Sequence, residues 1–365
     1  VWITEPSQNA FQDDYAILKQ IGEPGQFGKA YQCKRKSDGL VLAVKEISKA
    51  RIYRLHPSDQ IRQSLLKSMQ AEIDIMRRLK HRYIVNMYAT YETKHTLHIV
   101  MEECKGGELF DRIKAKRRYP ENEAKPIIKM VCEALFYMHD QHRVVHCDLK
   151  PDNILFVSEA EDSDIKIIDF GMSKVLPRLR SLRELCGTPY YTAPEIINGD
   201  YSHAADMWSV GVIAYVMIFG FPPFYVDPNK YYGVKETKEI YKLILKGFDP
   251  QVKKGYGAWF PKALANKLGP DGRDFMANLM EKDIAKRLTA KEALQHPWLK
   301  LESDPEANNS ALSPDIGGTP QLNAESTMDL TGLEFANFAT SHKFKFAITA
   351  LFRGQYEQMR PKHFE

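Results

Sequence analysis

The hydrophobic period of this chain changes along its length, and the change divides it. Residues 15–50 alternate apolar and polar side chains around the glycine cluster of IGEPGQFGKAYQCKRKSDGLVLAVKEI (21–47), the period of two that half-buried strands require. SDG at 37–39 supplies hairpin-turn residues, so this stretch predicts strand, turn, strand, turn, strand. Over 58–80 the period lengthens, and Leu65, Met69, Ile73 and Met76 fall on one helical face. Strands return at 84–91 and 96–102. From GGELFDRI (106–113) the pattern is mostly helical to about residue 299, interrupted by strand-like pieces at 153–157 and 165–168. A β-rich first third with one prominent helix, followed by helix-rich sequence, predicts an α+β fold of two lobes joined near 102–106.

Composition shifts beyond the lobes. Residues 302–330 contain no Lys, Arg, Trp, Tyr or Phe but many Asp, Glu, Ser, Asn, Pro and Gly, which predicts a flexible acidic linker over 300–332. Residues 333–365 turn aromatic and basic again. The 365 residues, 44% hydrophobic and 27% charged, suffice for a large core, and the net charge of +4 is too mild to argue for nucleic acid. No apolar run is long enough for a bilayer, and no N-terminal run reads as a secretory signal. The sequence starts at Val1, so the natural N-terminus, with any lipidation signal, is expected to be missing. Cys33, Cys104, Cys132, Cys147 and Cys186 are odd in number and lack the close spacing of a zinc site, which predicts unpaired thiols and a reducing, cytoplasmic home.

Several segments carry chemistry. The glycines of IGEPGQFGKA (21–30) suit either a tight hairpin turn or a backbone that approaches phosphate oxygens. In LAVKEI (42–47), Lys45 is either a snorkelling edge lysine or an ammonium seeking a carboxylate or phosphate; Glu72, on the helix expected at 58–80, offers a partner. VVHCDLKPDN (144–153) crowds Asp148, Lys150, Asp152 and Asn153 beside a proline, and Asp169 of IIDFG (167–171) follows sixteen positions after Asn153. Asn153 and Asp169 are oxygen ligands of the kind Mg²⁺ prefers. Asp148 suits proton acceptance from an alcohol, and Lys150 suits neutralising a transferring phosphoryl group.

In this order the parts resemble the eukaryotic Ser/Thr protein kinases from Ile21 to about Leu299. The glycine loop, AVK, the helix glutamate, HCDLKPDN, DFG, GTPYYTAPE (187–195), DMWSVGV (206–212) and KRLTAKEALQHPWL (286–299) carry the likeness. It implies a bilobal kinase fold with an N-lobe at 15–103 and a C-lobe at 104–299, using ATP and Mg²⁺. Gly22, Gly25 and Gly28 would cover the phosphates, and Lys45 would bind them while paired with Glu72. Ile21, Ala30, Ala43 and Leu155 would line the nucleotide site. Met101 resembles the gatekeeper, and the backbone of Glu102 and Cys104 the hinge. Asp148 would be the catalytic base, Lys150 the γ-phosphate contact, Asn153 and Asp169 the metal ligands, and Thr188 the brace of the catalytic loop. Glu195 and Arg287 resemble the family's buried ion pair. Lys150, two residues past the base, suits an aliphatic hydroxyl acceptor.

The likeness has departures. Cys147 stands where the family has an arginine that meets a phosphate on the activation segment, so the expected switch is not phosphorylation of that segment; a redox-sensing thiol is the rival use. Glu23 and Pro24 separate the first glycines where one residue is usual, and Ala30 replaces a valine. The segment RIYRLHPSDQIRQSLLK (51–67) is longer than a minimal kinase needs. GGELFDRI and HPWL (296–299) resemble the calcium/calmodulin-regulated group, in which a glutamate like Glu108 draws a substrate arginine; a helix-capping or solvated glutamate is the plain alternative. FATSHKFKFAITALFRG (338–354) places Phe344, Ile348, Leu351 and Phe352 on one face with Lys343, Lys345 and Arg353 nearby. It resembles an autoinhibitory, calmodulin-binding helix, and also the junction that precedes EF-hand domains; a plain packing helix is the alternative. No EF-hand pattern occurs, and DPNKYYG (227–233) lacks the acids and spacing. Thr331 is a candidate autophosphorylation site. The expected partners are protein substrates with basic residues near the acceptor, and calmodulin or an attached EF-hand domain. A pseudokinase scaffold with little turnover is the alternative of a different class.

Overall fold

The computed structural model describes residues 3, 6–21, 28–55, 58–176, 182, 186–226, 231, 233–255 and 257–300. Gly22, Gly25, Thr331, most of 227–233, the linker at 301–332 and the basic segment at 333–365 lie outside the described residues.

The period-two stretch forms β1 (Tyr15–Ile21), β2 (Gly28–Arg35) and β3 (Val41–Ser48). With β4 (Met87–Glu92) and β5 (Thr96–Met101) they make an antiparallel sheet in the order β1-β2-β3-β5-β4. Its register sets the nucleotide-site expectations side by side. Ile21 faces Ala30, Ala30 faces Lys45, and Ala43 faces Met101. Gly28 lies so close to β3 that a Cβ there would fall on the Glu46 carbonyl, so no side chain fits.

Both faces of this sheet are covered. One side packs on α3 (Asp59–Arg78), the helix expected at 58–80, which follows the short α2 (Lys49–Leu55). The other side holds a small core of Phe11, Tyr15, Cys33, Leu42, Val44, Tyr91 and Val100. Phe11 belongs to α1 (Phe11–Asp14), ahead of the expected start of the lobe at residue 15. Its ring stacks on His98 with centroids 4.5 Å apart and on Tyr15 at 5.4 Å. The Ser7 N–H bond to Thr90 O at 2.7 Å extends this covering, while Ile3 is buried in the core on the α3 side.

The second lobe is built from α4 (Leu109–Lys116), α5 (Glu121–Phe136), α6 (Pro194–Asn198), α7 (Ala204–Phe219), α8 (Gly233–Lys246), α9 (Pro270–Leu279) and α10 (Ala290–Gln295). Residues 205–219 of α7 are all buried, as a helix apolar on every side must be. Four strands in this lobe are named in the order of the chain: β6 (Val144–Val145), β7 (Ile154–Phe156), β8 (Ile165–Ile167) and β9 (Lys174–Val175). β7 pairs with β8 near the expected 153–157 and 165–168. The pairs β6–β9 and β10 (Asp249–Lys253)–β11 (Trp259–Pro261) fall where helix was expected. Among the described residues no helix is long and apolar enough to cross a membrane.

Candidate active site

The site is built around the segment between β6 and β7. Asp148 accepts from Thr188 Oγ1 at 2.8 Å through one carboxylate oxygen and meets Lys150 Nζ at 2.9 Å through the other. Lys150 Nζ also donates to Thr188 Oγ1 at 3.0 Å, closing a triangle. Burial disfavours the Lys150 ammonium, but the Asp148 charge beside it raises its pKa overall. Asn153 Nδ2 donates to the Asp148 carbonyl at 2.8 Å. Its amide oxygen is then the atom left for a cation.

Asp169 follows β8 and is tied to this loop through backbone. Ile168 N–H donates to Asn153 O at 3.0 Å, and His146 Nε2 meets Ile168 O at 3.1 Å. Asp169 adopts the left-handed region at φ 62°, unusual for a side-chain-bearing residue, and its Oδ1 accepts from Gly171 N at 3.3 Å. Burial pushes its carboxyl up, yet the positive charges of Lys45, Lys150 and His146 outweigh this and lower the pKa. Lys45 Nζ reaches Glu72 Oε1 at 3.4 Å, which brings α3 onto β3. The negative charges of Glu72 and then Asp169 hold the Lys45 ammonium above its ordinary pKa against burial. A Cβ on Gly171 would stand 3.2 Å from Asp169 Oδ1 and 3.5 Å from Glu72 Oε2, so the two acids flank one small space.

The segment after Met101 carries Glu102 and Cys104. The Glu102 side chain is engaged by Lys166 Nζ at 2.9 Å and by the Asn86 N–H, and its own N–H goes to Asn86 O. Burial pushes the Cys104 thiol up to about 12. Leu155, in β7, bridges Glu108. Glu108 is the N-cap of α4, but its side chain makes no cap hydrogen bond. Glu195 and Arg287 form the expected buried pair, with Nη2 to Oε2 at 3.0 Å. Among the described residues no group of three or more His, Cys, Asp or Glu side chains makes a metal site of its own. Asn153 and Asp169 offer hard oxygen donors too few to fill a Mg²⁺ shell, and so fit a metal whose other positions are taken by phosphate and water oxygens.

The structure thus brings together Lys45, Glu72, Asp148, Lys150, Asn153, Asp169 and Thr188, while Gly22 and Gly25 lie outside the described residues. Sequence reasoning missed Asp206. Fully buried in the first turn of α7, it accepts from His146 N at 2.8 Å, Cys147 N at 3.0 Å and His139 Nε2 at 2.8 Å. Burial raises its pKa, but the His139 bond and charge more than offset this and lower it. The available signal was one acid inside an otherwise apolar helix.

A family profile described as protein kinase domain matches residues 15–299. Calcium/calmodulin-dependent protein kinase type 1 of Caenorhabditis elegans is 35% identical over 328 residues, covering 88% of this chain and 83% of that protein. The protein of the same name from Macrobrachium nipponense is 39% identical over 298 residues, covering 81% and 77%. Calcium-dependent protein kinase 14 of Arabidopsis thaliana is 33% identical over 315 residues, covering 86% of this chain and 54% of that protein, so the chain spans about half of that relative.

Proposed function

The chain belongs to the protein kinase family, among Ser/Thr kinases related to the calcium/calmodulin-dependent and calcium-dependent types, and from that premise we propose that it transfers the γ-phosphate of MgATP to serine or threonine of basic protein substrates. The observation that supports this best is the Asp148–Lys150–Thr188 triangle beside the Asn153–Asp169 pair. MgATP, when bound, supplies the phosphoryl group and the metal charge that neutralises its oxygens. Asp148 accepts the hydroxyl proton of the acceptor while Thr188 and Lys150 fix its orientation. Lys150 neutralises charge on the group in transfer, and Lys45, kept protonated by Glu72 and Asp169, holds phosphate oxygens. Asn153 and Asp169 would hold the metal. The Glu102 carbonyl and Cys104 N–H receive the adenine edge between Ile21, Ala30, Ala43, Met101 and Leu155.

Glu108, at the start of α4, pairs with a substrate arginine through a bidentate carboxylate–guanidinium contact. The basic segment at 333–365 is the autoinhibitory element, and calcium-loaded calmodulin or an attached EF-hand domain removes it. The test is a peptide-library assay with labelled ATP, with and without calcium/calmodulin. Transfer to peptides with arginine ahead of the acceptor, stimulated by calcium/calmodulin, is expected. No transfer to any peptide in either state favours the scaffold, and transfer indifferent to basic residues removes the Glu108 role.

A further inference from the structure

Tyr201 touches both sides of the site from outside it. Its backbone forms a two-way bridge with Leu182, with Leu182 N to Tyr201 O at 3.0 Å and Tyr201 N to Leu182 O at 3.1 Å. Its hydroxyl accepts from the Cys186 thiol at 3.2 Å and lies 4.0 Å from the Cys147 thiol. Both thiols and the phenol ring are buried. Gly187 completes the approach: at φ 95° its missing Cβ would stand 2.8 Å from the Cys147 carbonyl, a proximity open only to glycine.

We infer that Tyr201, with the thiols of Cys147 and Cys186, is an uncharged clasp that positions Leu182 and residues 186–188 on the catalytic loop, so that Thr188 meets Asp148 without a phosphate on the activation segment. The inference rests on the kinase reading of the same site. Cys147 immediately precedes Asp148, and Cys186 lies two residues before Thr188, so the clasp and the Thr188–Asp148 bond are two rungs between the same two strands of chain. Cys147 is held in the left-handed region at φ 69° by its N–H bond to Asp206, which aims its side chain at Tyr201 rather than at solvent. The Cys186 side chain beside it and burial push the Cys147 thiol far above its ordinary range, and burial does the same for the Tyr201 phenol. A buried, protonated thiol is a poor nucleophile and a good packing group, so the clasp is structural glue for the site rather than a redox sensor.

Steady-state kinetics on phosphatase-treated full chain test this. Wild type is expected to keep its kcat after treatment. Tyr201→Phe preserves the ring and is expected to lower kcat about fivefold, the worth of one hydrogen bond felt in the transition state, with KM for ATP unchanged. Cys147→Arg forces a long cationic side chain into this buried cluster and is expected to lower kcat by about tenfold or more. Cys186→Ser, which restores a donor to Tyr201, is expected to recover more kcat than Cys186→Ala. Overturning results are a Tyr201→Phe enzyme with wild-type kcat, a Cys147→Arg enzyme as active as wild type, or wild type that phosphatase silences. Wild type that transfers no phosphate before treatment, with or without calcium/calmodulin, sinks the kinase reading itself.

Discussion

Asp206 fixes the loop that carries Asp148. It reaches Cys147 and His146 from 59 and 60 positions away, and such spacing leaves no local pattern to read. Lys45, Asp148, Asn153 and Asp169 were legible because reactive residue types stand in short, ordered motifs. His203, at the start of α7, was invisible for the same reason as Asp206. Its Nε2 is buried with no partner among the described residues. Burial and then the charge of His139 lower its pKa to about 4. The folded protein therefore keeps His203 neutral where the unfolded chain, with a pKa of about 6.5, takes up a proton. Its contribution to stability is complete above about pH 6.5 and is lost as pH falls toward 4. Urea unfolding at pH 7.5 and 5.5 is expected to show a loss of about 1 kcal/mol that His203→Gln removes; equal pH dependence in the two proteins contradicts the assignment.

Among the elements, β1 to β5 and α3 were legible because each runs for six residues or more, long enough to leave a pattern in the sequence. α1, with four residues, and β6 and β9, with two each, are too short to display a period. Yet α1 covers one face of the sheet from outside the residues that match the family profile. Phe11→Ala is expected to cost about 3 kcal/mol, the range for truncating a buried aromatic; a denaturation midpoint equal to wild type contradicts that packing role. The α7–α9 crossing depends on Gly211, where a Cβ would lie 2.9 Å from Leu279 Cβ and from Met280 Cγ. Gly211→Ala gains about 1 kcal/mol of helix propensity but overpacks by about 1–3 kcal/mol. A net fall in melting temperature is expected, and a rise shows that α9 yields at no cost.

At the scale of the whole molecule, two lobes meet where chemistry from each is needed. Lys45 and Glu72 come from the sheet and α3, and Asp148, Lys150, Asn153 and Asp169 from the helical lobe. The bridge from Ile84 to Ile167 and the Lys166–Glu102 pair stitch the lobes beside that meeting point. The change of hydrophobic period near residue 105 announced this division, whereas the ties across it depend on distant partners. Removing residues 333–365 is expected to raise basal peptide phosphorylation severalfold and to abolish its response to calcium/calmodulin; an unchanged basal rate contradicts the autoinhibitory role. The most direct test concerns the proton acceptor. Asp148→Asn keeps the size of the side chain and its contact with Thr188 but removes the basic oxygen. The initial rate of labelled phosphate transfer to peptide, measured on folded protein with ATP binding confirmed, is expected to fall by about a hundredfold or more. A variant that transfers phosphate at the wild-type rate contradicts the mechanism.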